Sequence, residues 1–183
     1  MISHNEVDGW FDSSSEHVYR TAIDKFPSES HFVEIGAYLG RSAIFMAQEM
    51  KRQNKKIYFD VIDHFKGSPE HQETLQDKNL YHMFLKNVKD AEVIRDISIF
   101  VLSSLEAVKF YDDNSLDFVF IDAEHSYESV IQDIQAWLPK IKKGGILAGD
   151  DYLKVHPGVI KAVDEIFGEN KRIYKRIWLY DKI

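Results

Sequence analysis

Five short apolar runs alternate with stretches of helical periodicity between His31 and Asp150, and this alternation constrains the fold more than any other feature of the chain. The runs are HFVEIG (31–36), KIYFDVID (56–63), ISIFVL (97–102), LDFVFID (116–122) and GILAGD (145–150), all rich in Val, Ile or Phe or bounded by glycine. Near-continuous apolar runs of this length suit strands that are covered on both faces. Between them Ala43, Ile44, Ala47 and Met50, then Leu105 and Val108, then Val130, Ile131, Ile134, Trp137 and Leu138 recur at helical spacing. Strand, helix, strand in repetition reads as right-handed crossovers on a parallel sheet. The expected class is therefore α/β, with helices on both faces.

The flanks extend this pattern. Ser13 to Glu16 has the S-x-x-E spacing of a capping box, and Val18, Ala22, Ile23 and Phe26 follow until Pro27, which predicts an opening helix. Pro157 suits the first turn of a last helix whose apolar face is Val159, Ile160, Val163, Ile166 and Phe167, with Gly168 just past its end. The tail RIYKRIWLYDKI reads as one or two terminal strands. The segment from His64 to Asp90 is long and polar but carries Leu80, Tyr81, Phe84, Leu85 and Val88 at helical spacing, so it is either a lid or an ordinary crossover helix with a long approach. No linker or repeat divides the chain, and the expectation is one domain over 1–183, with an N-terminal helical segment (1–30) and an insertion (64–90).

Charge and composition exclude several chemistries. Lys plus Arg is 23 against 30 Asp plus Glu, and a net charge of −7 repels a phosphate backbone. KRQNKK (51–56) and the group Lys171, Arg172, Lys175 and Arg176 favour a nucleic-acid substrate, but such runs usually form solvated faces. The absence of cysteine removes thiolate ligands and thiol nucleophiles. No apolar run approaches the roughly 18 residues of a membrane span, and the first dozen residues lack the features of a secretory signal, so the expected location is cytoplasmic.

Chemistry concentrates at the ends of the predicted strands. VEIGAYLGRS (33–42) turns from strand to helix with glycines spaced Gly36-x-x-x-Gly40, a turn that serves either a ligand or packing alone. A nicotinamide-dependent oxidoreductase would have G-x-G-x-x-G there; instead Glu34 stands before the turn, and an acid suits a cation better than a phosphate. Asp60 and Asp63 end the second run. Either is a ribose-hydroxyl acceptor or a solvated strand-end acid, and Asp63 is the better placed for the first role. Asp122 ends the fourth run, and Asp150 and Asp151 end the fifth. Three carboxylates on one rim need a cation or a raised pKa, and a hard ion such as Mg²⁺ would meet that need unless Asp151 points outward and caps the next turn. His125 follows Asp122 by three residues, a general base by type or a helix-entry residue satisfied by backbone.

At these residues the chain resembles the class I S-adenosylmethionine-dependent methyltransferases. EIGAYLGRSAIFMA is similar to the first motif of the catechol O-methyltransferase type, and VFIDAEHSYESVIQDIQAWLPKIKKGGILAGDDY to the second half of small metal-dependent O-methyltransferases, including macrocin-type sugar enzymes. The resemblance covers roughly residues 30 to 167. It implies a Rossmann-like, doubly wound, mostly parallel seven-stranded sheet of order 3-2-1-4-5-7-6, its last strand antiparallel. It also implies that Glu34, Gly36, Tyr38, Gly40 and Ser42 surround the methionine end of the cofactor, Asp63 the ribose, and Ser103 and Ser104 the adenine, with Asp122 alongside. Asp122, Asp150 and Asp151 would hold the divalent ion, and His125 falls where the catechol enzymes have a lysine base. The implied reaction is metal-assisted O-methylation of a small hydroxylated acceptor, a sugar or phenol, and so short a chain leaves the pocket either open or completed by another subunit. Glu124 and Tyr127 are weaker candidates for acceptor contact. His64, His71 and His156 read as solvated, His156 being close to the expected metal rim.

Overall fold

The computed structural model describes residues 1–67 and 79–183. The expected insertion at 64–90 is thus described only at its two ends, and His71 lies outside the described residues. Seven strands form one sheet: β1 (His31–Ile35), β2 (Tyr58–Ile62), β3 (Ser98–Phe100), β4 (Leu116–Ile121), β5 (Ile141–Gly149), β6 (Arg172–Tyr174) and β7 (Ile177–Asp181). Their order is β3-β2-β1-β4-β5-β7-β6, as the resemblance implies. The first five strands pair in parallel, β7 runs antiparallel to β5, and β6 closes the edge as a short hairpin with β7.

The alternation of side chains along each strand builds two cores. Phe32, Phe59, Val61, Phe118, Phe120, Ile146 and Ala148 face one side, where α1 (Ser13–Lys25), α2 (Arg41–Arg52) and α3 (Leu80–Asp90) cover them. Val33, Ile35, Ile62, Val119, Ile121 and Leu147 face the other, under α4 (Ser104–Ala107), α5 (Tyr127–Trp137) and α6 (Pro157–Phe167). Burial on both faces is why the runs read as continuous rather than alternating.

Two boundaries differ from the sequence-based expectation. The cap of α1 is Asp12 rather than Ser13, and its carboxylate accepts from the amides of Ser14 and Ser15 at 2.7 and 3.4 Å. An anion at a helix N-terminus meets the unpaired amides and the positive end of the dipole, so aspartate outcompetes the neighbouring serine. β5 begins at Ile141, four residues before Gly145, because the ladder continues through a register shift between Leu116 and Phe118 that absorbs Lys142 to Gly145.

Register fixes the rim. Ile35 pairs with Ile62 and with Ile121, Ile121 with Gly149, and Ile62 with Phe100, so the strand ends are level. The residues that follow, Gly36, Asp63, Asp122 and Asp150, therefore share the carboxyl edge of the sheet, where doubly wound folds bind ligands. Gly36 has φ +87°, and a Cβ there would come 1.8 Å from the Asp122 carbonyl oxygen. Only glycine lets the first turn and the end of β4 approach this closely.

Candidate active site

A cavity of about 530 Å³ opens along this edge, within the size range of small-molecule sites. Asp8 to Phe11 and Tyr38 bound it on one side, Ser103 to Leu105 and Asp133 line its far end, and Asp122 to His125, Asp151, His156 and Arg176 line the near end. The N-terminal segment is tied down over α2: the Arg41 guanidinium donates to the Gly9 carbonyl at 2.9 Å and to Asn5 Oδ1 at 3.3 Å. The Nε of Arg41 is buried without a partner among the described residues. Trp10, 60% exposed, rests on Tyr38 with ring centroids 5.2 Å apart.

At the β1 end, Glu34 is buried and accepts from Tyr19 Oη at 2.8 Å and Ser42 Oγ at 2.7 Å. Burial outweighs these two donors and pushes its pKa up to about 7. Tyr38, at φ +47°, and Gly40, the left-handed N-cap of α2, shape the turn between them. Asp63 holds that turn: one carboxylate oxygen accepts from the amides of Ala37 and Tyr38 at 2.8 and 3.0 Å, the other from Phe65 at 2.6 Å. Asp60 is placed elsewhere, in the middle of β2 opposite Val33, with His31 at 2.6 Å and Tyr111 at 2.8 Å.

At the far end Ser103 caps α4 and bonds to Glu106, and Ser104 links Asp133 to the Trp137 indole. Burial raises the Asp133 pKa to about 6. Sequence reasoning passed over Asp133, although an acid within the apolar stripe Val130, Ile134 and Trp137 was a readable signal.

Asp151, in the left-handed conformation at φ +60°, turns into the cavity and meets His125 Nε2 at 2.8 Å. Its other oxygen lies 3.1 Å from Arg176 Nη2 and 3.9 Å from His156 Nε2. Burial works against the Asp151 carboxylate, but His125, Arg176 and His156 together hold its pKa below the ordinary value. Gly158 brings His156 here, because a Cβ at that position would clash at 2.6 Å with the backbone of His125 and Tyr127. The two imidazoles lie with centroids 4.2 Å apart.

Asp150, 4% exposed, turns away from the cavity toward Arg176 and α1. Asp122 lies between, its pKa raised first by burial and then by Asp150 and Asp151. Among the described residues, the groups whose ligand atoms fall within 4.8 Å of one another are His125, Asp151 and His156, and neither Asp122 nor Asp150 joins them. Glu124 lines the cavity and accepts from Ser129, whereas Tyr127 faces outward and donates to Glu165. Arg176, read from the sequence as part of a charged surface run, points inward; nothing local in YKRIW marks it.

The sheet order and a crevice walled by strand-end acids define the class I methyltransferase type of Rossmann-like domain. The family model described as a methyltransferase domain matches residues 33–152, and the chain belongs to that family. An uncharacterized protein of Acanthamoeba polyphaga mimivirus, R132, is 28% identical over 158 residues, covering 84% of this chain; the match spans 66% of that relative's length. Among solved structures, the O-methyltransferase NovP superposes with a TM-score of 0.70 at 17% identity, over 92% of this chain and 79% of NovP. Cofactor-bound Rv0187 from MTB gives 0.65 at 16%, over 93% and 80%. A protein described as precorrin 8w decarboxylase, from Methanobacterium thermoautotrophicum, gives 0.64 at 12%, over 100% and 97%. These likenesses establish the fold. Their differing reactions show that the fold alone does not name an acceptor.

Proposed function

We propose that this domain transfers a methyl group from S-adenosylmethionine to the hydroxyl of a small molecule, with His125 as the base. The pairing of His125 with Asp151 at the mouth of the crevice carries this reading. Asp151 holds the ring through Nε2 at 2.8 Å and so fixes the orientation of the imidazole, as a general base requires.

The residues present suit the cofactor. Glu34, buried and paired with the hydroxyls of Tyr19 and Ser42, favours a cationic amino group, and the Nε of Arg41, without a partner among the described residues, suits a carboxylate. Asp63 keeps one acceptor site on Oδ1 for a ribose hydroxyl while it braces the loop, and Ser103, Ser104 and Asp133 offer polar contacts for adenine. The bound cofactor would supply an electrophilic sulfonium methyl. The chain holds the acceptor oxygen in line with that carbon and excludes water beneath Trp10 and Tyr38. Gly36, Tyr38 and Gly40 give the backbone turn that admits the ligand.

The divalent ion implied by the metal-dependent relatives does not fit the side chains as they stand. Asp150 is already bonded to Arg176 and Ser15, and Asp122, Asp150 and Asp151 do not converge. A small acceptor is favoured by the cavity's size and by the excess of acids over basic residues. No helix among the described residues is long and apolar enough to cross a membrane.

Calorimetric titration with S-adenosylhomocysteine and with nicotinamide dinucleotides tests the cofactor, and a panel of sugars and phenols tests the acceptor. Binding of S-adenosylhomocysteine with no response to the nicotinamides is expected. The reverse pattern would refute the reading.

A further inference from the structure

Two adjacent aspartates at the end of a buried strand need a cation, and a side chain from the far end of the chain provides it. Arg176 stands in the turn between β6 and β7. Its Nε donates to Asp150 Oδ1, and its Nη2 lies 3.1 Å from Asp151 Oδ1. Asp150 is engaged further: the Asp151 amide also donates to Oδ1 at 2.6 Å, and Ser15 Oγ donates to Oδ2 at 3.3 Å. A divalent ion shared by Asp122, Asp150 and Asp151 would have to evict the guanidinium, since two cations cannot occupy one set of buried oxygens at contact distance.

The way the acids are paired is supplied by segments that flank the matched region. The methyltransferase-domain match, residues 33–152, contains both aspartates but neither Ser15 nor Arg176. α1 delivers Ser15 because Asp12, one turn earlier, takes the cap and leaves the Ser15 hydroxyl for Asp150. The β6–β7 hairpin delivers Arg176, held by its own carbonyl, which accepts from the Tyr152 amide at 2.9 Å.

We infer that Arg176 is a built-in counter-cation that takes the place of the divalent ion of metal-dependent O-methyltransferases, pairing with Asp150 and Asp151 and thereby positioning His125. The inference rests on the methyl-transfer reading for its catalytic meaning. Arg176 acts through Asp151 and is a positioning residue. A chain built this way needs no added Mg²⁺ for cofactor binding or for orientation of the base.

Titration of the whole protein with Mn²⁺ and Mg²⁺, with and without saturating S-adenosylhomocysteine, tests this without knowledge of the acceptor. Wild type is expected to give no stoichiometric binding of either ion at submillimolar concentration. Arg176→Ala and Arg176→Gln are expected to expose the carboxylates and bind Mn²⁺ at least about tenfold more tightly than wild type. One-to-one micromolar Mn²⁺ binding by wild type, unchanged by substitution of Arg176, overturns the inference. So does tight wild-type binding that His156→Ala abolishes, which would place an ion on His125, Asp151 and His156. Should the Arg176 variants not fold, the Nε–H resonance of Arg176 in labelled wild-type protein decides. It is expected to stay unmoved when Mg²⁺ is added, and its loss overturns the inference. The S-adenosylhomocysteine arm reads separately: failure to bind it counts against the functional reading and leaves the metal result standing.

Discussion

The two ends of the crevice satisfy their acids in opposite ways. At the β1–β2 end Glu34 and Asp63 meet neutral donors, the hydroxyls of Tyr19 and Ser42 and the amides of Ala37, Tyr38 and Phe65. At the β4–β5 end Asp150 and Asp151 meet Arg176 and two imidazoles. Burial, only partly offset by its neutral donors, raises the Glu34 pKa to about 7, an acid that gains when a cation arrives. Cations hold Asp151 low before any ligand is present. One end is prepared to receive positive charge, and the other already contains it.

The largest effect that would break this contrast belongs to the base. His125→Ala should lower methyl transfer by roughly 10²- to 10⁴-fold while leaving S-adenosylhomocysteine affinity nearly unchanged, as measured by steady-state kinetics beside calorimetry. Equal losses in both would mean that His125 builds the cofactor pocket instead. Next comes Arg176→Ala, which strands a buried pair of acids and should cost about 3 to 5 kcal/mol in denaturant unfolding. Arg176→Lys should recover only part of this, because an ammonium cannot present the two-pronged geometry.

Glu34→Gln sharpens the other half. The folded-state pKa of Glu34 is raised from 4.5 to about 7, so between those values the folded chain keeps a proton that the unfolded chain releases. Stability from this group therefore falls as pH rises from 4.5 to about 7, and stays at its lower level above that. The substitution should flatten this segment of the stability profile, by an amount on the order of 3 kcal/mol between its ends. An unchanged profile would show that Glu34 is already ionised in the folded chain. The smallest effect is Asp12→Ala, expected to cost about 1 kcal/mol of helix capping and seen as a modest fall in Tm.

Much of the architecture was legible because it rests on short-range pattern. The apolar runs marked β1 to β4 to within two residues, and Pro157 and Gly168 bracketed α6. The start of β5 was hidden because glycines and lysines that read as a turn are absorbed by an irregular ladder. Strand-end acids were readable as a rim, but their partners were not. A sequence shows that Asp150 and Asp151 need a positive charge; it does not show whether that charge is an ion or a side chain.

The sequence by itself determined the alternation of strands and crossover helices, the glycine turn after β1, the placing of Glu34, Asp63, Asp122 and Asp151 at strand ends, and His125 beside them. These follow from periodicity and from backbone sterics, which act between near neighbours. Only the tertiary structure decided that Asp150 faces Arg176 and Ser15, that Asp151 faces His125, and that His156 joins them through the close approach allowed by Gly158. The physical reason is range. Each of these pairings joins elements distant along the chain, and its geometry exists only once the sheet has brought β1, β4, β5 and the β6–β7 hairpin to a common edge.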